Sequence, residues 1–303
     1  MKRNSRKIAL AMALVLATGC AAQAASTDSL TSAGYSQNFN SMGTGTSLPD
    51  AGWTAYSITT GQDSHYQWTT SINPADVGGG TQITAVTAMT DTSITSSTKS
   101  GSAVYNMADA TVGTSNRALA TSPTGDDGVA LQLSLTNNIG AAFNTLNISY
   151  NIKKYTDGVL QSSIDSSLPK NEELPGYQLF YSINGGAYTN VAQFNPVASN
   201  VSNPNNQPVI PVGTPAASGT NPAVDYTVTN VSGIVTLSQA VAAGQTITFR
   251  WVDDNTVNLS PDQVIGLDDV NISATTPTPI PAAAWLLGSG LMGLAGLRRR
   301  KQY

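Results

Sequence analysis

"YQLFYSINGGAY" runs from Tyr177 to Tyr188, and its reading decides the fold. An alternating run of aromatic and aliphatic residues leads into Asn184, Gly185 and Gly186, and a second run follows at once. Alternation with period two marks a strand, and Asn and Gly tolerate the positive φ of a tight hairpin turn. Two antiparallel strands joined by a short turn are predicted here.

The same texture continues outward. "TAVTAM" (84–89), "VALQLSL" (129–135), "TLNISYNI" (145–152), "YTVTNVSGIVTL" (226–237), "QTITFRWV" (245–252) and "VIGLDDVNIS" (264–273) all alternate, and Gly, Pro, Asn and Asp clusters separate them. Short strands between such clusters predict an all-β antiparallel sandwich. Residues 156–175 and 195–222, the latter with six prolines, read as long surface loops with nothing to bury. No repeat of 20–50 residues is visible, which argues against a propeller or β-helix.

The two ends read differently from the middle. "MKRNSRKIALAMALVLATGCAAQAAS" has four basic residues, an apolar stretch and then small residues, the layout of a secretory signal peptide. Cleavage after Ala24 is expected, with lipidation at Cys20 as the alternative. At the other end, Ala282–Leu297 is a sixteen-residue apolar run followed by Arg298, Arg299, Arg300 and Lys301. As a helix it spans about 24 Å, somewhat short of a bilayer core of roughly 30 Å, and Trp285 and the arginines are placed to anchor its ends. The predicted division is a signal peptide at 1–24, an exported sandwich at 25–273, a linker with a sorting motif at 274–281, a transmembrane helix at 282–297 and a basic cytoplasmic tail at 298–303.

Cys20 is the only cysteine, so no intrachain disulfide can form. With both ends set aside, six basic residues face eighteen acids, a net charge near −12. Such a chain repels nucleic acid and other polyanions. Nucleic acid is therefore not an expected partner.

The tail, "PTPIPAAAWLLGSGLMGLAGLRRRKQ", resembles the PEP-CTERM class of sorting signals in its VPLPA variant. Pro279, Ile280, Pro281 and Ala282 stand where the motif lies, Thr278 replaces the usual Val, and no acid is present. The resemblance implies a substrate of an exosortase, a membrane transpeptidase-like enzyme of Gram-negative bacteria that make exopolysaccharide. Signal peptidase and exosortase are then the implied partners, and the cell surface or extracellular matrix the destination. An ordinary anchor that is never cut is the other reading.

The middle is similar to jelly-roll sandwiches of the MAM, cleaved-adhesin and carbohydrate-binding-module kind. Phe39, Asn40, Leu48, Pro49, Gly52 and Trp53 match an early strand of such folds, and Leu267, Asp268, Asp269, Val270 and Ile272 a final strand that pairs beside it. The resemblance implies a structural calcium held by Asp268 or Asp269 with Asn38 or Asn40, since hard oxygen ligands suit that ion. Only one of two adjacent strand residues can face inward, so the other aspartate is expected in solvent. Carboxylates that merely cap loops are the alternative, and "WVDDN" at Asp253, Asp254 and Asn255 reads as a turn.

No enzyme is expected. His65 is the only histidine, no nucleophile-elbow motif accompanies it, and a histidine-rich zinc site is excluded. Glu172 and Glu173 fall in a loop rather than a catalytic setting. "GWTAYSITTGQDSHYQW" (52–68) gathers Trp53, Tyr56, Tyr66 and Trp68, which are either a sugar-stacking platform or core packing. Two functions follow: a surface or matrix structural and adhesive protein, or a module that binds the cell's own exopolysaccharide.

Mass spectrometry of protein recovered from the cell surface should show a start near Ala25 and no peptide from Trp285 onward. An intact Leu286–Arg298 segment in the mature protein would refute exosortase processing, and an acylated start at Cys20 would establish the lipoprotein route.

Overall fold

The hairpin forms as its residues require. Asn184 and Gly185 take φ of 50° and 71°, and Gly186 N–H donates to Ile183 O at 3.0 Å. Positive φ at both central positions matches the twist of the flanking strands. The computed structural model describes residues 26–58, 72–95, 98, 102–110, 113–123, 127–156, 176–199, 202–211, 226–253 and 263–275. The two terminal signals lie outside the described residues, among which no helix is long and apolar enough to cross a membrane.

The strands build two large sheets. Sheet one runs β11 (Thr189–Asn190), β10 (Gln178–Ile183), β15 (Thr246–Asp253), β8 (Gly128–Asn137), β3 (Trp53–Ile58), β4 (Thr81–Gln82), and β1 (Asp28–Leu30) also pairs with β8. Sheet two runs β14 (Thr227–Val241), β9 (Phe143–Thr156), β16 (Val264–Ala274), β7 (Gly113–Ser122), β6 (Ala103–Asp109), β5 (Val86–Thr90), and β2 (Tyr35–Gln37) also pairs with β16. The chain is thus all-β and sandwich-like. Its one described α-helix, α1 (Pro74–Val77), is a single turn whose Asn73 side chain accepts from Ala75 N–H.

Alternation assigns the faces. In β8, Val129, Leu131, Leu133 and Leu135 point into the main core; in β15, Ile247, Phe249 and Trp251 do the same. Tyr150 and Ile152 of β9 and Leu267 of β16 meet them from sheet two. An early segment ties the layers together. β1 lies on sheet one, a tight turn closed by Gly34 N–H to Thr31 O follows, and β2 then joins sheet two. A Cβ on Gly34 would come within 2.9 Å of Ile272 O, and its φ is +88°, so only glycine fits this crossing. The early-and-final strand expectation is corrected: β2, which precedes Phe39, pairs with the final strand through Gln37 and Val270, whereas Phe39 and Asn40 lie at a 3-10 turn and Trp53 opens β3 in sheet one.

Two further expectations need correction. The sheets are not wholly antiparallel: β1–β8 and β5–β6 pair in parallel, as do β12 (Val197–Ala198) and β13 (Val209–Ile210). The β5–β6 pair is joined by residues 91–102, the dozen or so that a parallel crossover needs. The Pro-rich segment 195–222 is also more than loop. Ala198 and Ile210 are buried, and Ile210 enters the main core, because isolated apolar residues in a polar stretch suffice to pin it down. Residues 157–175 and 212–225 lie outside the described set.

Trp251 is fully buried at the centre of the core. Replacing it with alanine should cost about 3–5 kcal/mol of unfolding free energy, read from denaturant midpoints of the full-length protein. The wild-type midpoint should not move with reducing agent. A loss below about 1 kcal/mol would mean that the described packing is wrong.

Candidate functional site

The outward residues of sheet one form a floor. Register sets Ser134 of β8 beside Thr248 of β15, and Thr248 beside Ser182 of β10, so three hydroxyls lie in a row across three strands. Ser134 Oγ and Thr248 Oγ1 are 3.2 Å apart, and Gln132 Nε2 donates to Ser134 Oγ at 3.4 Å. The hairpin loop with Tyr188 rises on one side, and the α1 segment with Pro74, Ala75 and Gly78 on another. Together they enclose a trough of about 800 Å³. Its lining holds hydroxyls, the two amides of Gln132 and Asn184, backbone and one phenol ring, with no charged side chain.

Arg250 fixes the wall to the floor. Its Nε donates to Gln132 Oε1 at 2.8 Å, and its guanidinium reaches Val77 O and, at 2.8 Å, Gly79 O. Its plane lies between the rings of Tyr56 and Tyr188, 4.4 Å and 5.1 Å from their centroids. A buried guanidinium is costly unless its donors are satisfied, and carbonyls and aromatic faces satisfy it here. Burial lowers the Arg250 pKa and raises that of Tyr188, with the electrostatics of their mutual contact opposing both shifts. Tyr188 also donates to Gln132 Oε1 at 3.3 Å, so floor, wall and ring share one acceptor.

The residues expected to stack on sugar are not gathered at this trough. Trp53 is a correction: it is 2% exposed, stacked on Trp251 at 5.6 Å and set edge-on to Phe39 at 5.1 Å, because its alternation faces it inward. Its Nε1–H donates to Tyr35 Oη at 2.6 Å. Tyr56 faces outward but serves as one jaw of the Arg250 clamp. Tyr66, Trp68 and His65 lie outside the described residues, as do Glu172, Glu173, Asp254, Asn255, the motif Pro279–Ala282 and the basic run Arg298–Lys301. Tyr188 was missed as a site residue although it closes the hairpin quotation. What marks it is position alone, since it lines the trough and donates to Gln132 while lying against Arg250.

The residues expected to hold calcium each have protein partners. Asp268 is buried and Asp269 exposed, with Asp269 at φ 50° in a bulge of β16. Asp268 faces the outer side of sheet two, where Lys153 Nζ meets its Oδ2 at 2.7 Å and Asp269 N–H donates to its Oδ1. Lys153 thus supplies the counter-charge to the Asp268 carboxylate. Asn38 Oδ1 accepts from Asn40 N–H, Asn40 Oδ1 accepts from Arg117 N–H, and the Asn151 amide donates to Asp269 Oδ2. Among the described residues no group of three acids, histidines or cysteines is placed to hold a metal. Asp253, read as part of a turn, instead ends β15 fully buried and accepts from Thr121 Oγ1 and Gln263 Nε2, each at 2.6 Å.

No protein-family profile matches the chain, and no curated protein does. Among solved structures, TmCBM61 in complex with β-1,4-galactotriose aligns at 9% identity over 53% of this chain and 72% of that one, with a TM-score of 0.26. The catalytic domain of a GH87 α-1,3-glucanase in complex with tetrasaccharides aligns at 14% identity over 55% of this chain and 24% of that one, with a TM-score of 0.22. Scores this low assign no activity to the chain.

Burial pushes the Asp268 carboxyl up to about 6, partly offset by Lys153, and raises Asp50 and Asp91 as well. A carboxyl raised above its unfolded value binds its proton more tightly in the native state, so stability is fullest below about pH 4 and declines as pH rises towards 6. Urea midpoints between pH 3.5 and 7 should fall accordingly, and Asp268→Asn should flatten the slope. A midpoint that rises through this window would contradict the assignment.

Proposed function

We propose that this chain is a non-catalytic, jelly-roll-like glycan-binding protein of the cell surface or matrix, taking a neutral polysaccharide along the trough of sheet one. The observation that carries the reading is the uncharged lining of the trough, where half-buried Thr248 stands between the buried hydroxyls of Ser134 and Ser182 and Tyr188 supplies a phenol ring. Sugar hydroxyls exchange hydrogen bonds with such a floor, and the apolar face of a pyranose packs on a phenol ring. Charge supports a neutral ligand. All four basic residues among those described, Arg117, Lys153, Lys154 and Arg250, are buried, so the described surface offers no cation to a polyanion.

Delivery is proposed from the ends of the chain. The signal-peptide layout at 1–24 and the Pro-Ile-Pro-Ala motif with its apolar run and arginines support export and exosortase sorting. Matrix placement would bring the trough to the exopolysaccharide it binds. The adhesive role and the glycan-binding role then become one.

Affinity electrophoresis of the full-length protein in detergent, through gels containing galactan, glucomannan, dextran or alginate, tests the trough. Retardation is expected with a neutral polymer and not with alginate. Tyr188→Ala and Thr248→Glu should each weaken binding at the trough about tenfold or more, with the melting temperature checking that the fold is kept, since the Tyr188 ring also packs on the buried Arg250 guanidinium and its loss should lower stability. Retention by alginate alone, or trough variants that bind like wild type, would refute the reading.

A further inference from the structure

The opposite face of the sandwich carries a second uncharged array. On the outer side of sheet two, Ser232 of β14 pairs in register with Ser149 of β9, Ser149 with Asn271 of β16, and Asn271 with Ser36 of β2. Four polar side chains therefore stand in one row across four strands. A second row runs beside it through Ile234, Asn147 and Ser273. Three strand intervals of about 4.8 Å make the first row about 14 Å long.

The array is exposed and neutral. Ser232, Asn271, Ser36 and Asn147 are exposed, and Ile234 is 63% exposed, more than any other large apolar residue described. The rows border a shallow depression of about 680 Å³ whose lining includes Tyr35 and no charged side chain. A solvent-facing strand surface, where six basic residues face eighteen acids between the two ends of the chain, would ordinarily carry acids. Here no acid lines the depression: Asp269 lies outside the two rows, tied to Asn151, and Asp50 accepts from Tyr35 and Gln37. Hydroxyl and amide groups repeated at the strand spacing, beside an apolar side chain, complement a polymer that alternates hydroxyls with apolar ring faces.

We propose that this strip is a second glycan-binding surface, which takes an extended neutral polysaccharide laid across the strands. The strip's own binding is independent of the sheet-one trough. With the trough on the opposite face, one domain holds two chains and cross-links them, and this consequence alone rests on the function proposed above.

Variants of the full-length protein in detergent separate the possibilities. Ser232→Glu with Asn271→Glu places two carboxylates in the row at exposed positions, and the melting temperature checks that the fold is kept. Wild type should turn solutions of the bound neutral polysaccharide (galactan, glucomannan or dextran) turbid, with a maximum at an intermediate protein ratio. The double variant should still be retarded in the affinity gel through the trough, but its turbidity should be lost. Tyr188→Ala, weakened at the trough, should keep a reduced but measurable gel retardation through the strip and lose turbidity. Undiminished turbidity with the double variant would overturn the strip, as would loss of all binding in Tyr188→Ala. A wild-type dimer that the double variant converts to monomer would show the face to be a self-association surface instead, and overturn the proposal. Loss of all binding in the double variant alone would keep the strip and remove the trough. Failure of wild type to bind any of the three neutral polymers contradicts both sites.

Discussion

The sandwich depends on a run of aromatic rings through its centre. Phe39 meets Trp53 edge-on, Trp53 stacks on Trp251 with planes 22° apart, Trp251 meets Tyr150 at 85°, and Tyr150 meets Phe194 at 80°. The run starts in the segment after β2, crosses β3 and β15 of sheet one, and ends against β9 of sheet two. Each offset or edge contact contributes about 0.5–1.5 kcal/mol beyond the area it buries. With one cysteine in the whole chain, no disulfide can share this task. The inward rings also fix the register, and a slip of one residue would turn every hydroxyl of the trough floor into the core.

Cations serve inside the protein. Lys154 Nζ donates to Pro211 O at 2.8 Å, Arg117 to Asn106 O at 3.2 Å, Lys153 pairs with Asp268, and Arg250 holds the α1 segment. Each long stem is buried and delivers its head to a protein oxygen, which offsets the cost of burying the charge. Their withdrawal leaves the described surface neutral or acidic. Both uncharged faces follow from this, since an uncharged surface on an acidic protein selects partners by hydrogen bonding and shape rather than by charge.

Much of the fold was legible because alternation states which side chains are inside. All seven alternating runs named from the sequence became strands, and the Asn184–Gly185 turn formed where its residues required. β6 and β7 escaped notice because "AVYNMAD" and "GTSNRALATS" bury alanine, asparagine and threonine beside their few large apolar residues. Asn106 and Thr121 are wholly buried there, with hydrogen bonds supplied by distant segments that periodicity cannot see. The trough was illegible for a related reason. Ser134, Ser182 and Thr248 read as ordinary solvent positions, and only the pairing of strands far apart in sequence sets them side by side. Trp53 shows the reverse: a large ring in a polar stretch suggests a ligand platform, but its parity along β3 sends it into the core.

The most direct measurement is hydrogen–deuterium exchange of the full-length protein with and without a neutral oligosaccharide cut from a polymer that it binds. Bound sugar should slow exchange in the peptides covering 74–79, 132–134, 182–188 and 246–248, which meet only at the trough. Unchanged exchange in all four, at a ligand concentration that saturates binding, would contradict the account.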